Sequence, residues 1–143
     1  MSIIRCLLIL ASFIQPAFAL DAKLFSDTRG IYLVLVNDSN NTADVAEDFI
    51  LGRCDSAANI CMTIVNDEGR SIEILARTDR FDHEFNKRVV LWPLAVYGAY
   101  VDKEELVSRF ALSEGHYRIS FSYKDRKTQV LINSNVVKLY IAE

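Results

Sequence analysis

The sequence predicts an all-β protein, built as an antiparallel sandwich of two sheets with one short helical turn. Many short segments rich in β-branched and aromatic residues follow one another at close spacing, with turn-forming residues between them. One of these segments, 116–124, alternates apolar and polar residues without a break. Only residues 102–110 have the spacing of an amphipathic helix.

The alternating segment predicts a strand with one buried face and one solvent face. The residues on the buried face are Tyr117, Ile119, Phe121 and Tyr123. The residues on the solvent face are His116, Arg118, Ser120, Ser122 and Lys124.

The entry to this strand has the pattern L-x-x-G-x-Y, formed by Leu112, Gly115 and Tyr117. The spacing resembles the tyrosine corner of immunoglobulin-like sandwiches, and the resemblance implies that the Tyr117 hydroxyl bonds back to the main chain a few residues upstream. Gly115 suits a corner that needs positive φ or close backbone approach. The alternative is that Tyr117 is only a core aromatic.

The remaining strands follow from composition and turn signals. Residues 31–37 are apolar on both faces, which predicts a central strand. The hairpin loop 66–70 has a glycine late in it, so 60–65 and 71–77 are expected to pair. Asp102 is a suitable N-cap for the helix, with Glu105 three residues further on. The other predicted strands are 20–27, 45–51, 88–92, 95–101 and 134–141.

The N-terminal 19 residues have the pattern of a secretory signal peptide. A positive charge at Arg5 precedes an apolar stretch of the length of a signal h-region, and Ala17-Phe18-Ala19 is an A-x-A cleavage site. We therefore expect a periplasmic or secreted protein whose residues 20–143 form a single β-sandwich domain, with no membrane insertion after cleavage. The net charge of −3 argues against nucleic acid as a partner.

Cys54 and Cys61 remain after cleavage and are expected to form a disulfide bond, because the predicted compartment is oxidising. A redox pair would favour the spacing C-x-x-C. Two N-x-S/T sequons begin at Asn37 and Asn40, and both lie in a run of turn-forming residues. Turn chemistry is the favoured interpretation of both, since glycans would require a eukaryotic host.

The segment 78–87 is charged but contains Phe81, His83 and Phe85, which are the candidates for a binding loop. Large aromatics exposed on a loop favour a partner. The alternative is that Phe81 and Phe85 pack against the domain itself.

From about Tyr97 to Ile141 the chain resembles immunoglobulin-like domains of secreted bacterial and fungal proteins. The resemblance rests on the acidic helical turn 102–110, the L-x-x-G-x-Y corner and the Ser134-Asn135 opening of the last strand. It is similar to bacterial proteinase-inhibitor sandwiches and to the small sandwich that accompanies some secreted zinc metalloendopeptidases. The resemblance implies an immunoglobulin-like β-sandwich and carries over no catalytic residue.

The sequence offers no catalytic constellation. His83-Glu84 is not followed by a second histidine at H-E-x-x-H spacing, and the G-x-S-x-G and phosphate-loop patterns are absent. We assign no catalytic residue, metal or cofactor. A metal site that joins His83 and His116, or an enzyme, is the least favoured alternative.

The leading hypothesis is an exported, non-enzymatic protein-binding domain, for example an inhibitor or an immunity protein that acts on an extracytoplasmic enzyme or toxin. The second hypothesis is an accessory subunit of a cell-envelope assembly that pairs through a strand edge. Both rest on the fold and the missing catalytic motifs, and the partner in each is another protein.

Overall fold

The fold was examined in a computed structural model, which describes residues 20–52, 58–75 and 87–142. The described residues form eleven strands and one helix, so the all-β class predicted from the sequence is confirmed. The strands are β1 Leu20–Ser26, β2 Gly30–Asn37, β3 Ala43–Ala46, β4 Leu51–Gly52, β5 Ile60–Asn66, β6 Ser71–Ile72, β7 Arg88–Leu91, β8 Val96–Asp102, β9 Gly115–Lys124, β10 Leu131–Asn133 and β11 Val137–Ile141. The helix is α1, Lys103–Phe110.

The first sheet, which we call sheet 1, has the strand order β1-β2-β8 and is antiparallel throughout. Its middle strand β2 is the apolar segment that the sequence predicted to be central. The outer edge of β1 is capped by a side chain: the Leu24 amide donates to Asn135 Oδ1 at 2.7 Å, and Asn135 Nδ2 donates to the Leu24 carbonyl at 2.9 Å. The Asn135 side chain thus makes the two hydrogen bonds that a neighbouring strand would make with the backbone of Leu24.

The second sheet, sheet 2, is organised around β9. On one side β9 pairs antiparallel with β5, and on the other side it pairs with β10 and β11. Beyond β5, the short strands β4 and β6 pair with it in parallel and antiparallel orientation, respectively. The strict alternation of 116–124 therefore belongs to the central strand of this sheet.

The two sheets enclose one hydrophobic core. The inward residues of sheet 1, including Leu24, Ile31 and Leu33, belong to the same buried cluster as Ile119 and Phe121 of sheet 2. A two-stranded ribbon, β3–β7, adds Val45 and Leu91 to this cluster. Burial of these side chains supplies the main favourable free energy of folding.

The connection between β8 and β9 contains the helix and the predicted corner. Asp102 caps the helix by accepting the Glu105 amide at 2.7 Å, and Leu106 and Phe110 are buried on its inner face. After the helix, the Tyr117 hydroxyl donates to the Ser113 carbonyl at 2.9 Å, with Leu112 buried beside it and Gly115 at a φ of 152°. This is the main-chain bond that the L-x-x-G-x-Y pattern predicts.

Three predicted strands differ from the structure by more than one residue at an end. Residues 45–51 do not form one strand, because the chain leaves the ribbon after Ala46 and joins sheet 2 at Leu51. The Asn59 side chain stabilises this crossing by accepting the Ile50 amide at 2.7 Å.

The predicted strand 71–77 ends at Ile72, and the Leu75 amide then bonds to the Arg109 carbonyl at the end of α1. The predicted strand 134–141 begins at Val137, because Ser134 and Asn135 use their side chains to bond β9 and β1. Both differences have the same cause, a hydrogen-bond partner that is distant in sequence.

Candidate functional site

Several residues that the sequence singled out lie outside the described residues. These are the binding-loop candidates Phe81, His83 and Phe85, the disulfide candidate Cys54 and the signal segment 1–19. The disulfide bond and the binding loop therefore stay predictions. Cys61 is half-buried in β5 and lies opposite Ser122 in the register of β5 and β9.

A polar network lies where the ribbon meets the end of β9. The Arg88 guanidinium bonds to Asp44 at 2.9 Å and to Asp125 at 2.7 Å. The Tyr123 hydroxyl donates to Asp125 at 3.0 Å and accepts the Ala46 amide at 2.9 Å. Burial raises the pKa of Tyr123 to about 12, so this hydroxyl stays protonated.

Asp125 is buried, and its carboxylate has four internal donors. Oδ2 accepts from Arg88 and Tyr123, while Oδ1 accepts the amides of Lys127 and Thr128. Burial alone would raise the pKa of Asp125, but the bonds from Arg88, Thr128 and Tyr123 outweigh it and hold the pKa below its usual value.

A pocket of about 170 Å³ lies beside Asp44 and Asp125. Four hydrogen bonds use the acceptor capacity of the Asp125 carboxylate, and Asp44 is bonded to Arg88 and Lys127. We therefore assign the network to the structure of the domain: it ties the ribbon to sheet 2.

The outer face of sheet 1 is mostly apolar, with the ion pair Asp21–Lys23 at one end of β1. Cross-strand rows on this face place Phe25 beside Tyr32 and Tyr32 beside Tyr100, while Val36 lies beside Val96. All of these side chains except Val36, which is half-buried, are exposed. An antiparallel sheet with one face on a core normally alternates apolar residues inward and polar residues outward. Sheet 1 departs from this rule over three strands.

The aromatic row of this face is ordered by contacts of its own. The rings of Tyr32 and Tyr100 are tilted against each other, with centroids 4.8 Å apart. The Tyr32 hydroxyl donates to Asp27 at 3.2 Å, and Asp27 also accepts the amides of Arg29 and Gly30 in the β1–β2 turn. The rings therefore form a fixed platform with one polar end, the character of aromatic residues at protein interfaces.

A convex turn, Trp92-Pro93-Leu94-Ala95, precedes β8 at the Val96 end of the face. We call it the Trp92 turn. The Ala95 amide donates to the Trp92 carbonyl at 2.9 Å, and Leu94 has a φ of 64°. Proline second and a positive φ third are typical of a type II turn, in which glycine or asparagine is the usual third residue. The side chains of Trp92 and Leu94 are 68% and 79% exposed.

Asn37 holds this turn from inside the fold. Its side chain is 1% exposed, and Nδ2 donates to the carbonyls of Asn41, Leu91 and Trp92 at 2.7, 2.9 and 3.2 Å. The nitrogen that a glycan would occupy is thus used by the fold, so turn chemistry is the right interpretation of the Asn37 sequon. Asn40 of the second sequon is exposed.

Sequence reasoning missed both the apolar face and the Trp92 turn. The signal for the face was present, because residues 31–37 are apolar on both sides of the strand. The signal for the turn was Pro93 between the large apolar residues Trp92 and Leu94, with leucine in place of the usual glycine after the proline. The role of Asn37 had no local signal, since Leu91 lies 54 positions away.

No family model matches the sequence, and no curated protein matches it. Across residues 20–52, 58–75 and 87–142, no group of three or more His, Cys, Asp or Glu side chains is arranged to hold a metal ion. His116 lies on the solvent face of β9, with its ring 4.7 Å from that of Tyr140. In the same part of the chain, no helix is long and apolar enough to cross a membrane.

Proposed function

We propose that the chain is an exported, non-enzymatic protein-binding domain, and that the outer face of sheet 1 is its binding surface. The observation that carries the proposal is the row of exposed aromatic side chains across three strands, continued by exposed valine and by the Trp92 turn. Large contiguous apolar patches are uncommon on monomers and are typical of interaction sites. Tyrosine and tryptophan are also the residues that most often dominate binding free energy.

An immunoglobulin-like sandwich is the fold that we propose for the domain. In that architecture, strands A, B and E share one sheet, and strands C, F and G share the other. The orders β1-β2-β8 and β5-β9-β11 correspond to A-B-E and C-F-G, and the Tyr117 bond lies between the strands equivalent to E and F. Sandwiches of this kind commonly serve as scaffolds for recognition, although the fold alone does not define the function.

An inhibitor or immunity protein is the form of the proposal that agrees best with an exported domain of this size. Its partner would be an enzyme or toxin outside the cytoplasm. Export itself is supported by the signal pattern of residues 1–19. Fractionation of the producing cells and N-terminal sequencing test this step, with Leu20 expected as the first residue of the mature protein.

The binding surface is tested with two matched double variants of the full chain. Val96→Ser/Tyr100→Ser alters the apolar face, and Val136→Ser/Tyr140→Ser alters the other side of the domain. The matching is close: Val96 and Val136 are each 61% exposed, while Tyr100 and Tyr140 are 44% and 43% exposed. Each tyrosine also has one ring neighbour, at 4.8 and 4.7 Å, respectively.

The chain, with a C-terminal tag, is used to capture proteins from the extracytoplasmic fraction of the producing organism. We expect one protein to be retained equally by the wild type and by the Val136/Tyr140 variant, and at least about tenfold less by the Val96/Tyr100 variant. Equal retention by all three chains, or none by any, would overturn the proposed surface. Thermal melts of each variant verify folding.

Assembly through a strand edge is the second candidate function. Among the described residues, β8 pairs only with β2, whereas the outer edge of β1 is capped by Asn135. An unpaired edge can accept a strand from another chain. Sedimentation velocity over a range of concentrations tests this candidate, and a strict monomer at every concentration would count against it.

A further inference from the structure

We infer that Asn40 is an N-glycosylation site of the folded protein, used wherever the export pathway contains an oligosaccharyltransferase. The chain has two N-x-S/T sequons in direct succession, Asn37-Asp38-Ser39 and Asn40-Asn41-Thr42. The fold treats them in opposite ways, and only the second has its acceptor group open to solvent. This assignment goes beyond the proposed function, because it depends on neither the outer face of sheet 1 nor a partner protein.

The first sequon is used by the fold. Asn37 is buried, and its Nδ2, the atom to which a glycan would be attached, donates to three main-chain carbonyls. The Ser39 hydroxyl, the second group that defines a sequon, donates to Asn37 Oδ1 at 2.7 Å and accepts the Asn41 amide at 3.2 Å. A sugar on Asn37 Nδ2 is therefore incompatible with the folded arrangement of this connection.

The second sequon presents its defining groups to solvent. Asn40, Asn41 and Thr42 are all exposed. Among the residues that the structure describes, the side chains of Asn40 and Thr42 make no hydrogen bond. The backbone beside them is nevertheless held in place, because the Asn41 carbonyl accepts from Asn37 Nδ2 at 2.7 Å and from the Ser39 hydroxyl at 2.9 Å.

The side chain of Asn40 has no part in the turn chemistry of this connection. Asparagine and serine are favoured in turns because their side chains bond the nearby backbone. Asn37 and Ser39 do this: Asn37 Oδ1 accepts the Ser39 amide at 3.1 Å, and the Ser39 hydroxyl bonds the main chain of Asn41. Turn chemistry thus accounts for the first sequon, whereas the exposed amide of Asn40 fits the surface position that a glycan requires.

The modification uses a co-substrate from the cell, an oligosaccharide linked to a lipid through a diphosphate. Nδ2 of Asn40 forms a bond to C1 of the first sugar, and the bond between C1 and the diphosphate oxygen breaks. The lipid diphosphate leaves with the bonding electron pair, and one proton of the amide passes to a base of the transferase. The product carries a bulky, hydrated group on the connection between β2 and β3.

The site is tested on the folded full chain, carrying a C-terminal tag, with a purified oligosaccharyltransferase and its lipid-linked donor. An amidase then removes the glycan in heavy-oxygen water, so that mass spectrometry finds each modified asparagine as a labelled aspartate. We expect modification of Asn40 at a rate at least about tenfold above that of Asn37, because access to Asn37 requires local opening of the fold. An unmodified chain, or equal modification of both asparagines, would overturn the inference.

Two neighbouring substitutions form a matched pair. Asn40→Gln removes the acceptor, whereas Asn41→Gln makes the same change at an adjacent exposed asparagine and leaves Asn40 and Thr42 in place. We expect the modification to be lost in the first variant and kept in the second. Thr42→Val, which removes only the hydroxyl of the sequon, should abolish it as well. Thermal melts verify that each variant is folded, and modification of a folded Asn40→Gln chain to the wild-type extent would contradict the assignment.

A peptide of residues 34–45 shows whether the fold makes the selection. The peptide contains both sequons without the distant carbonyls of Leu91 and Trp92 that help to bury Asn37. We therefore expect the transferase to modify Asn37 as well as Asn40 in the peptide. Modification of the peptide at Asn40 alone would place the preference in the local sequence and overturn the role of the fold. None of these readouts involves the partner, so their failure would leave the proposed binding surface as it stands.

Discussion

The outer faces of the two sheets differ although both sheets are mainly antiparallel and cover the same core. The outer face of sheet 2 is mainly polar, with His116, Arg118, Ser120 and Lys138, and it also carries the exposed Leu131 and Tyr140. The outer face of sheet 1 carries more apolar surface, from Phe25, Tyr32, Val96 and Tyr100, and its charged residues on β1 are the ion pair Asp21–Lys23. The fold therefore does not require an apolar outer face, and the difference supports the binding role that we propose for sheet 1.

The largest loss of stability is expected when a core residue is truncated. This loss is the reference for the smaller effects of substitutions on the surface. Phe121 is buried on the inner face of sheet 2. We expect Phe121→Ala to lower the free energy of unfolding by about 3–5 kcal/mol, because it leaves a cavity in the core. Urea denaturation followed by tryptophan fluorescence measures the change. A loss below 1 kcal/mol would mean that the sheets are not closely packed against each other.

The second effect concerns the polar network at the end of β9. Asp125→Asn removes the charge that bonds Arg88 and Tyr123, and we expect a loss of about 2–3 kcal/mol at pH 7. The pKa of Asp125 is lowered in the folded state. Its contribution is therefore complete above the unfolded pKa of about 3.9 and is lost as the pH falls through the lower folded value.

Acid titration of stability checks this assignment. The wild type should lose stability steeply below about pH 4, and the Asp125→Asn chain should lose less over the same interval. Asp67→Asn is the matched control, because Asp67 is an exposed carboxylate in the hairpin loop. Parallel pH profiles for the wild type and Asp125→Asn would show that Asp125 is not the group responsible.

A smaller effect is expected at the corner that precedes β9. Tyr117→Phe removes the hydrogen bond to the Ser113 carbonyl and the longer one, at 3.4 Å, with the Ser113 hydroxyl, and should lower the free energy of unfolding by about 1 kcal/mol. The partner should be retained normally by the folded protein, because Tyr117 faces the core. Loss of binding by a fully folded Tyr117→Phe chain would show that the corner belongs to the binding site.

The smallest losses of stability are expected for two exposed tyrosines, one on the outer face of each sheet. Tyr100→Ser and Tyr140→Ser each remove an exposed tyrosine with one ring neighbour, so both should cost less than about 1 kcal/mol. Denaturation curves measured side by side should agree within about 0.5 kcal/mol. A cost for Tyr100→Ser well above that of Tyr140→Ser would show that the apolar face stabilises the domain, which would weaken its assignment to binding.

Local patterns in the sequence predicted the parts of the fold that depend on near neighbours. The alternation around Tyr117 and the cap at Asp102 are examples, because both involve residues within a few positions of each other. The break at Asn135 and the end of β6 depend on partners more than 30 positions away, so no local pattern indicated them. Without those contacts, both segments read as continuous strands.

The candidate site was harder to predict than the fold for a related reason. An apolar residue on a strand indicates burial, and the sequence does not say whether it is buried in its own core or against a partner. The apolar residues on both faces of β2 predicted a central strand, and the exposure of Tyr32 became evident only with the neighbouring strands in place. Phe81 and Phe85 were predicted to be binding residues because two aromatic residues in a charged segment are evident from the neighbouring residues alone.

Asn135 has a consequence for how the protein behaves at high concentration. A filament grows when each molecule has two complementary binding surfaces, because every added copy then exposes a free surface that binds the next copy. By occupying both backbone groups of Leu24, the Asn135 amide blocks the addition of a strand at this position of the β1 edge. Among the described residues, β8 is the other edge strand of sheet 1, so β8 is the edge at which a second chain could add a strand.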